Sequence, residues 1–154
     1  MTQPSPADHE WMRLAIKLAH QCTPSLDAFS VGAVIVDQNG EEISRGYSRD
    51  TDSHVHAEES ALAKLPCGDP RLKASTIYST LEPCSQRKSR PRTCTQLILE
   101  AGIRRVVIAW REPGVFVADG NGYELLAGAG VELVEIPDLT AAAQAPNTHL
   151  SLGP

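Results

Sequence analysis

Hydrophobic residues recur along the N-terminal segment with the period of a helix. Trp11, Leu14 and Leu18 fall on one helix face. The preceding sequence SPAD, residues 5–8, is typical of a helix start, because serine caps a helix and proline suits its first turn. The pattern therefore predicts a helix that begins at this sequence and ends before Pro24.

The following segments alternate between strands and helices. The β-branched run VGAVIVD, residues 31–37, predicts a buried strand, and the Gln-Asn-Gly turn after it predicts a hairpin with residues 43–47. A helix is then predicted from the HAE triplet to Pro66. The same reasoning predicts, in order, a strand at 75–81, a helix at 93–101, a strand at 106–110, a short helix at 123–127 and a strand at 131–136.

This order of elements predicts an α/β fold. After the hairpin, helices alternate with strands, which favours parallel strands covered by helices on both faces of a sheet. No repeat or linker interrupts residues 1–137, so we expect them to form a single domain. Residues 138–154 carry little pattern, and we expect them to form a poorly ordered C-terminal tail.

Composition and charge argue against several classes of protein. The net charge of −5 and the pI of about 5.5 are not those of a protein with a broad nucleic-acid-binding surface. The sequence contains no apolar run long enough to span a bilayer, and its N-terminus lacks the pattern of a signal peptide. We therefore expect a cytoplasmic protein with no nucleic-acid or membrane partner. In that compartment, cysteines are more often thiols or metal ligands than disulfides.

Three potential metal ligands occur where predicted strands and helices meet. His56 lies at a helix start, Cys84 follows a strand, and Cys94 lies in the first turn of the next helix. Because ligands gather at such junctions in α/β sheets, these side chains can converge. Three protein ligands leave one position of Zn²⁺ open for water, as in catalytic sites. Glu58 is near enough to move a proton to or from that water, so the pattern predicts a catalytic Zn²⁺ site.

The spacing of the two cysteines departs from the common pattern. Zinc deaminases carry H-x-E followed by P-C-x-x-C; here the HAE triplet and Pro83 match, but nine residues replace two between the cysteines. A closed structural zinc site would need a fourth ligand. Cys22, Cys67 and His54 are candidates for it, but they lack the paired spacing of such sites. We interpret Cys22 and Cys67 as packing or incidental residues.

The loop between the cysteines is basic. It reads SQRKSRPRT. Its cations are Arg87, Lys88, Arg90 and Arg92. Guanidinium and ammonium groups near a site are suited to holding a phosphate, so the loop favours a phosphorylated substrate. The alternative is a solvated basic loop without such a role.

Together these segments resemble the pyrimidine deaminases of riboflavin biosynthesis, within the cytidine deaminase superfamily. The similarity rests on VGAVIVD, GYSRD, HAEESAL, YSTLEPCSQRKSRPRTC and LILEAGIRRVVIAWREP, and it covers roughly residues 11–136. It implies a three-layer α/β/α sandwich with a mixed five-stranded sheet. It also implies a zinc-dependent hydrolase acting on the carbon–nitrogen bond of a cyclic amidine, and a homodimer or larger homo-oligomer.

The resemblance is greater to one branch of this family. Bacterial bifunctional enzymes carry a reductase domain after the deaminase, which we do not expect here, and Ala28 stands where they have a sugar-binding asparagine. Fungal-type deaminases share a Phe before VGA, an EPCS insert of this length and an EPxxFV segment like residues 112–117. The resemblance therefore implies 2,5-diamino-6-ribitylamino-4(3H)-pyrimidinone 5′-phosphate, or its ribosylamino form, as the substrate.

Four other residues are candidates for substrate contact, and two of them, His54 and Phe29, have an alternative role. His54 can touch the substrate or only line the site with polar atoms. Phe29 can pack on the pyrimidine ring or belong to the core. The backbone around Ser79 and Thr80 can bind the ring edge, because related deaminases use the segment before their cysteine motif.

Other functions stay open on the sequence alone. The fold supports many deaminations, so another nucleoside, nucleobase or specialised amino-heterocycle is the first alternative substrate. A nucleic-acid-editing enzyme is favoured only by the basic loop, and the acidic net charge and 5 % aromatic content argue against it. A non-catalytic metal-stabilised protein would have no use for Glu58.

Overall fold

The secondary structure follows the predicted order of elements. A computed structural model of the chain describes residues 2–85, 87, 90–111 and 122–150. The α-helices are α1 (Pro6–Ala19), α2 (Ala57–Ala63), α3 (Cys94–Ala101), α4 (Gly122–Gly128) and α5 (Thr140–Gln144). The strands are β1 (Gly32–Val36), β2 (Glu42–Tyr47), β3 (Thr76–Ser79), β4 (Arg105–Ile108) and β5 (Glu132–Glu135). Short 3₁₀ segments are Pro70–Ala74, Pro137–Leu139 and Ala145–Asn147.

The strands form one mixed five-stranded sheet. Their order is β2-β1-β3-β4-β5. β1 runs antiparallel to both β2 and β3, whereas β3, β4 and β5 are parallel. This arrangement brings the start of β1 and the ends of β2, β3 and β4 to a single edge of the sheet.

Two glycines show that α1 and α2 cover opposite faces of this sheet. A Cβ on Gly32 would lie 1.9 Å from the carbonyl oxygen of Ala15 in α1. A Cβ on Gly46 would lie 2.7 Å from the carbonyl oxygen of Ala57 in α2. Gly46 pairs with Ala33, the neighbour of Gly32, and successive residues point to opposite faces. The fold is therefore the three-layer α/β/α sandwich that the resemblance implied.

The segment after residue 137 requires a correction. The poorly ordered tail predicted there does not describe residues 138–150, which include α5 and a 3₁₀ turn. Asn147 is fully buried, and its side chain accepts a hydrogen bond from the Ser30 N–H at 2.6 Å and donates one to the Ser30 carbonyl at 3.0 Å. This amide fixes the C-terminal segment to the chain entering β1. Residues 151–154 lie outside the described residues.

A buried carboxylate joins α1 to the amino ends of the parallel strands. Asp8 is 2 % exposed; both its oxygens accept hydrogen bonds from Arg105 at 2.9 Å, and one also accepts from the Tyr78 hydroxyl at 2.7 Å. The Ser5 N–H donates to the same carboxylate in the helix cap. Burial raises the pKa of Asp8, but these hydrogen bonds outweigh it and hold the pKa well below the ordinary 3.8.

No helix among the described residues is long and apolar enough to cross a membrane.

We predict that Asn147→Ala lowers the free energy of unfolding by about 1–3 kcal/mol, because it leaves the buried N–H and carbonyl of Ser30 without partners. Denaturant unfolding of the whole chain measures this change. Thr148→Ala, at an exposed neighbouring position, is the control and should change stability little. Equal losses in the two variants would contradict a specific role for Asn147.

We also predict that Asp8 stabilises the fold above about pH 5 and loses this contribution as the pH falls below about 4, because its folded pKa lies below its unfolded value. Unfolding free energies of wild type and Asp8→Asn, measured from about pH 6 to about pH 3, test this. The difference in unfolding free energy between wild type and Asp8→Asn should decrease toward low pH. The exposed Glu10→Gln variant should show the same dependence of unfolding free energy on pH as the wild type. A gap that stays constant with pH would contradict the prediction.

Candidate active site

The three predicted metal ligands converge at one edge of the sheet. The Nδ1 atom of His56 lies 3.6 Å from the Cys84 sulfur and 3.4 Å from the Cys94 sulfur. The ligand atoms of the three residues all lie within 4.8 Å of one another. The side chains are partly or fully buried, so this cluster can hold a metal ion close to the surface.

Each ligand is positioned by the start of a helix or by a turn. His56 is the extended N-cap residue of α2, and its N–H donates to Glu59 at 3.2 Å. Cys94 is the first residue of α3, whose N-terminus is closed by a capping box at Thr93. The Cys84 sulfur accepts the backbone N–H of Cys94 at 3.2 Å. These local contacts explain why residues far apart in sequence meet.

The pKa values of the two cysteine thiols are shifted in opposite directions. The hydrogen bond from the Cys94 thiol lowers the pKa of Cys84 to about 4, against the opposing effect of burial and with a further contribution from His56. The same hydrogen bond and complete burial raise the pKa of Cys94. The pair thus favours one shared thiolate stabilised by the other thiol, and a thiolate is the form that binds metal.

Glu58 lies in the first turn of α2 and is 4 % exposed. Burial raises its pKa to about 7; His56 opposes this rise and Cys84 adds to it. A carboxyl group in such surroundings is suited to proton transfer near neutral pH.

The loop cations have different surroundings. The Arg87 side chain is only 2 % exposed and donates to Glu59 and to the His54 carbonyl, both at 2.7 Å. Arg90 is half-buried and pairs with Asp52 and Glu59. Arg92 is 62 % exposed and pairs with Glu100. Lys88 lies outside the described residues.

The remaining candidates for substrate contact are engaged mainly within the protein. The Phe29 ring is buried and packs edge-on against Trp110, with 5.0 Å between ring centroids. The Ser79 hydroxyl donates to the Leu81 carbonyl at 2.8 Å, and Thr80 exchanges hydrogen bonds with Gly32. The geometry thus favours the core alternative for the Phe29 ring.

The position of His54 is compatible with both predicted roles, substrate contact and polar lining of the site. The residue is exposed, and its N–H donates to Asp52 at 2.8 Å. Cys22, in contrast, is buried and donates to the Val31 carbonyl, and Cys67 is exposed. Among the residues that the structure describes, the cluster contains only His56, Cys84 and Cys94, so neither Cys22 nor Cys67 belongs to it.

Sequence reasoning missed two residues close to the site, Arg49 and Glu82, whose side chains bind neighbouring segments of the chain. Arg49 adopts a positive φ of 61° and donates to the carbonyl of Phe29 and the hydroxyl of Ser30. Its own N–H donates to Val55, next to His56. Glu82 is buried, accepts from the Tyr123 N–H at 3.0 Å, and contacts Arg111. An acidic residue directly before Pro83 was the available signal for Glu82.

Comparison with known proteins places this geometry in a family. Residues 5–110 match the family described as "Cytidine and deoxycytidylate deaminase zinc-binding region". The "Diaminohydroxyphosphoribosylamino-pyrimidine deaminase" of Schizosaccharomyces pombe is 43 % identical over 133 residues, which cover 84 % of this chain and 32 % of that protein.

Solved structures agree with this match. A diaminohydroxyphosphoribosylaminopyrimidine deaminase/5-amino-6-(5-phosphoribosylamino)uracil reductase from Thermotoga maritima is 32 % identical with a TM-score of 0.75, covering 91 % of this chain and 39 % of that one. The Rib2 deaminase of Aspergillus oryzae, solved with DARIPP, has the same fold, with a TM-score of 0.74 at 23 % identity over 92 % of this chain and 94 % of that one.

The match covers a large share of this chain but a small share of its relatives. The chain spans about a third of the length of the curated relatives it matches first. The family match nevertheless includes all three clustered side chains and Glu58. The chain therefore belongs to the cytidine and deoxycytidylate deaminase zinc-binding family.

Proposed function

We propose that this chain is a zinc-dependent hydrolytic deaminase of a phosphorylated diaminopyrimidine in riboflavin biosynthesis. The observation that carries the proposal is the convergence of His56, Cys84 and Cys94 beside the buried Glu58. The proposed substrate is 2,5-diamino-6-ribitylamino-4(3H)-pyrimidinone 5′-phosphate or its ribosylamino form. The name of the Schizosaccharomyces pombe relative supports this substrate class.

The spacing of the cluster fits zinc. Zinc–sulfur bonds of about 2.3 Å and zinc–nitrogen bonds of about 2.0–2.1 Å put neighbouring ligand atoms of a tetrahedral site roughly 3.5–3.8 Å apart. The two sulfur–nitrogen distances of 3.6 and 3.4 Å are close to that range. The donor set of one imidazole and two thiols, with one position left open, is also that of a catalytic zinc site.

Glu58 would move the protons of the reaction. Zinc held by His56, Cys84 and Cys94 would supply Lewis acidity near neutral pH. Glu58 would take one proton from the attacking water and pass it to the adjacent ring nitrogen as the carbon–oxygen bond forms on the amine-bearing ring carbon. It would then carry the remaining hydroxyl proton to the departing nitrogen, so that a ring carbonyl forms, the carbon–nitrogen bond breaks and ammonia leaves. Its place two residues after His56 supports this role.

The basic loop supplies the charge for the substrate phosphate. The Arg87 side chain is only 2 % exposed, whereas those of Arg90 and Arg92 are 32 % and 62 % exposed and can exchange their carboxylate partners for a phosphate. Among the described loop cations we therefore assign phosphate contact to Arg90 and Arg92. Lys88 stays a candidate on its sequence position. For the pyrimidine ring we retain His54 and the backbone around Ser79 and Thr80 as proposed contacts.

We propose one deaminase domain, with the predicted residues 1–137 extended by the folded segment up to residue 150. The homodimer or larger homo-oligomer and the cytoplasmic location stay predictions.

We predict that Glu58→Gln retains zinc but lowers kcat by roughly 10²- to 10⁴-fold, since general acid–base catalysis contributes about that much. Metal content and ammonia release from the purified protein measure the two effects. The matched control is Glu10→Gln, an exposed glutamate on α1. Near-normal turnover by a zinc-loaded Glu58→Gln variant would remove Glu58 from the mechanism.

We predict that the zinc-loaded protein releases ammonia from the ribitylamino pyrimidinone phosphate and not from cytidine. Ammonia release is measured for the ribitylamino and ribosylamino phosphates side by side, and for the ribitylamino compound without its phosphate. Removing the phosphate should raise KM more than it lowers kcat, because Arg90 and Arg92 then lose their partner. Turnover of cytidine alone would favour the alternative of a different amino-heterocycle.

A further inference from the structure

Among the described cations of the cysteine loop, Arg87 is the most buried. Arg87 lies between the metal ligands Cys84 and Cys94 in sequence, yet its side chain is 2 % exposed. One of its terminal nitrogens donates to two acceptors at 2.7 Å, the Glu59 carboxylate and the His54 backbone carbonyl. Arg87 therefore joins the loop that carries the cysteines to the segment that carries the third ligand.

Glu59 is the second half of this connection. The same carboxylate oxygen that receives Arg87 also accepts the backbone N–H of His56 at 3.2 Å. One oxygen atom thus touches both the guanidinium of the cysteine loop and the backbone of a metal ligand. Arg87 thus contacts His54 directly and His56 through Glu59. These two residues flank Val55, which is buried.

A second arginine strengthens the contact from the surface. Arg90 pairs with the other oxygen of Glu59 at 3.4 Å and with Asp52. Both oxygens of Glu59 are therefore bound to cations of the cysteine loop. The hydrogen bonds are charge-assisted, and a largely buried guanidinium needs such partners to offset its desolvation.

We propose that Arg87 and Glu59 form a latch that holds the cysteine loop against the histidine segment and so fixes the geometry of the metal site. Arg87 is then a positioning residue for His56 and the cysteines rather than a contact of the substrate phosphate. This inference rests on the zinc site of the proposed function. It gives the long cysteine spacer a structural purpose, because a loop of nine residues does not by itself hold its two ends in register with a third segment.

The test is the rate at which zinc leaves the protein for an excess of a chromogenic chelator, far below the unfolding temperature. Arg87→Met and Glu59→Gln should each release zinc roughly 10- to 100-fold faster than wild type, as is typical when a partner that orients a metal ligand is lost. Arg87→Lys should release zinc at a rate between those of these variants and wild type, because lysine keeps the positive charge but lacks the planar guanidinium group.

Two controls separate the latch from general effects. Arg92→Gln removes a cation from the same loop, but that side chain is 62 % exposed and pairs with Glu100, so zinc release should stay within about twofold of wild type. Asn147→Ala weakens the fold at a different place, between Ser30 and the C-terminal segment. If it too sped up zinc release as much as Arg87→Met, the effect would be one of stability, and the latch would be refuted.

The double variant Arg87→Met/Glu59→Gln completes the test. If the two residues act as one unit, the double variant should release zinc about as fast as the faster single variant, since little is left to lose. Zinc release at the wild-type rate in Arg87→Met would overturn the latch while leaving the zinc site intact. Failure of the wild type to bind zinc would instead refute the proposed function on which the latch rests.

Discussion

The rest of this structure depends on one constraint, that side chains from three separate segments place their ligand atoms within 4.8 Å of one another. The mixed sheet meets this constraint, because the ends of β2 and β3 lie at the same edge and each leads into a helix that starts there. Gly46 allows α2 to lie directly on β2, since a Cβ would meet the helix backbone at 2.7 Å. The position of His56 therefore depends on a residue that never touches the metal site.

The polar groups at the two ends of the strands have different roles, one in the site and the other in stability. At one edge, the ends of β2 and β3 lead into the segments that carry Glu58 and Cys84, where unpaired groups would be costly and a shifted pKa is useful. The amino ends carry Asp8 and Arg105, which bind each other through two hydrogen bonds. A buried charge at that edge is fully partnered and therefore stabilises the helix–sheet contact rather than performing chemistry.

How far the sequence predicted this molecule depended on how local each signal is. Helix caps, β-branched runs and strand–helix junctions are local, so the order of elements and the three clustered side chains were predictable from spacing. The partner of Arg87 was not, because Glu59 lies 28 residues away and many acidic residues compete for an arginine. The ordered C-terminal segment was missed for the same reason: Asn147 and Ser30 are 117 residues apart, and an alanine-rich stretch before Asn147 shows no amphipathic pattern.

The long spacer between the cysteines changes how the metal site is built. When two residues separate the cysteines, a single turn determines the position of both sulfur atoms. With nine, the two ends must be joined by other contacts: the Cys84 carbonyl accepts from the Thr95 N–H at 3.1 Å, and its sulfur accepts from the Cys94 N–H. These bonds align the two cysteines with each other but not with His56. The contact of Arg87 with Glu59 joins the cysteine loop to the segment that carries His56, whereas the more exposed Arg92 pairs with Glu100 and takes no part in this alignment.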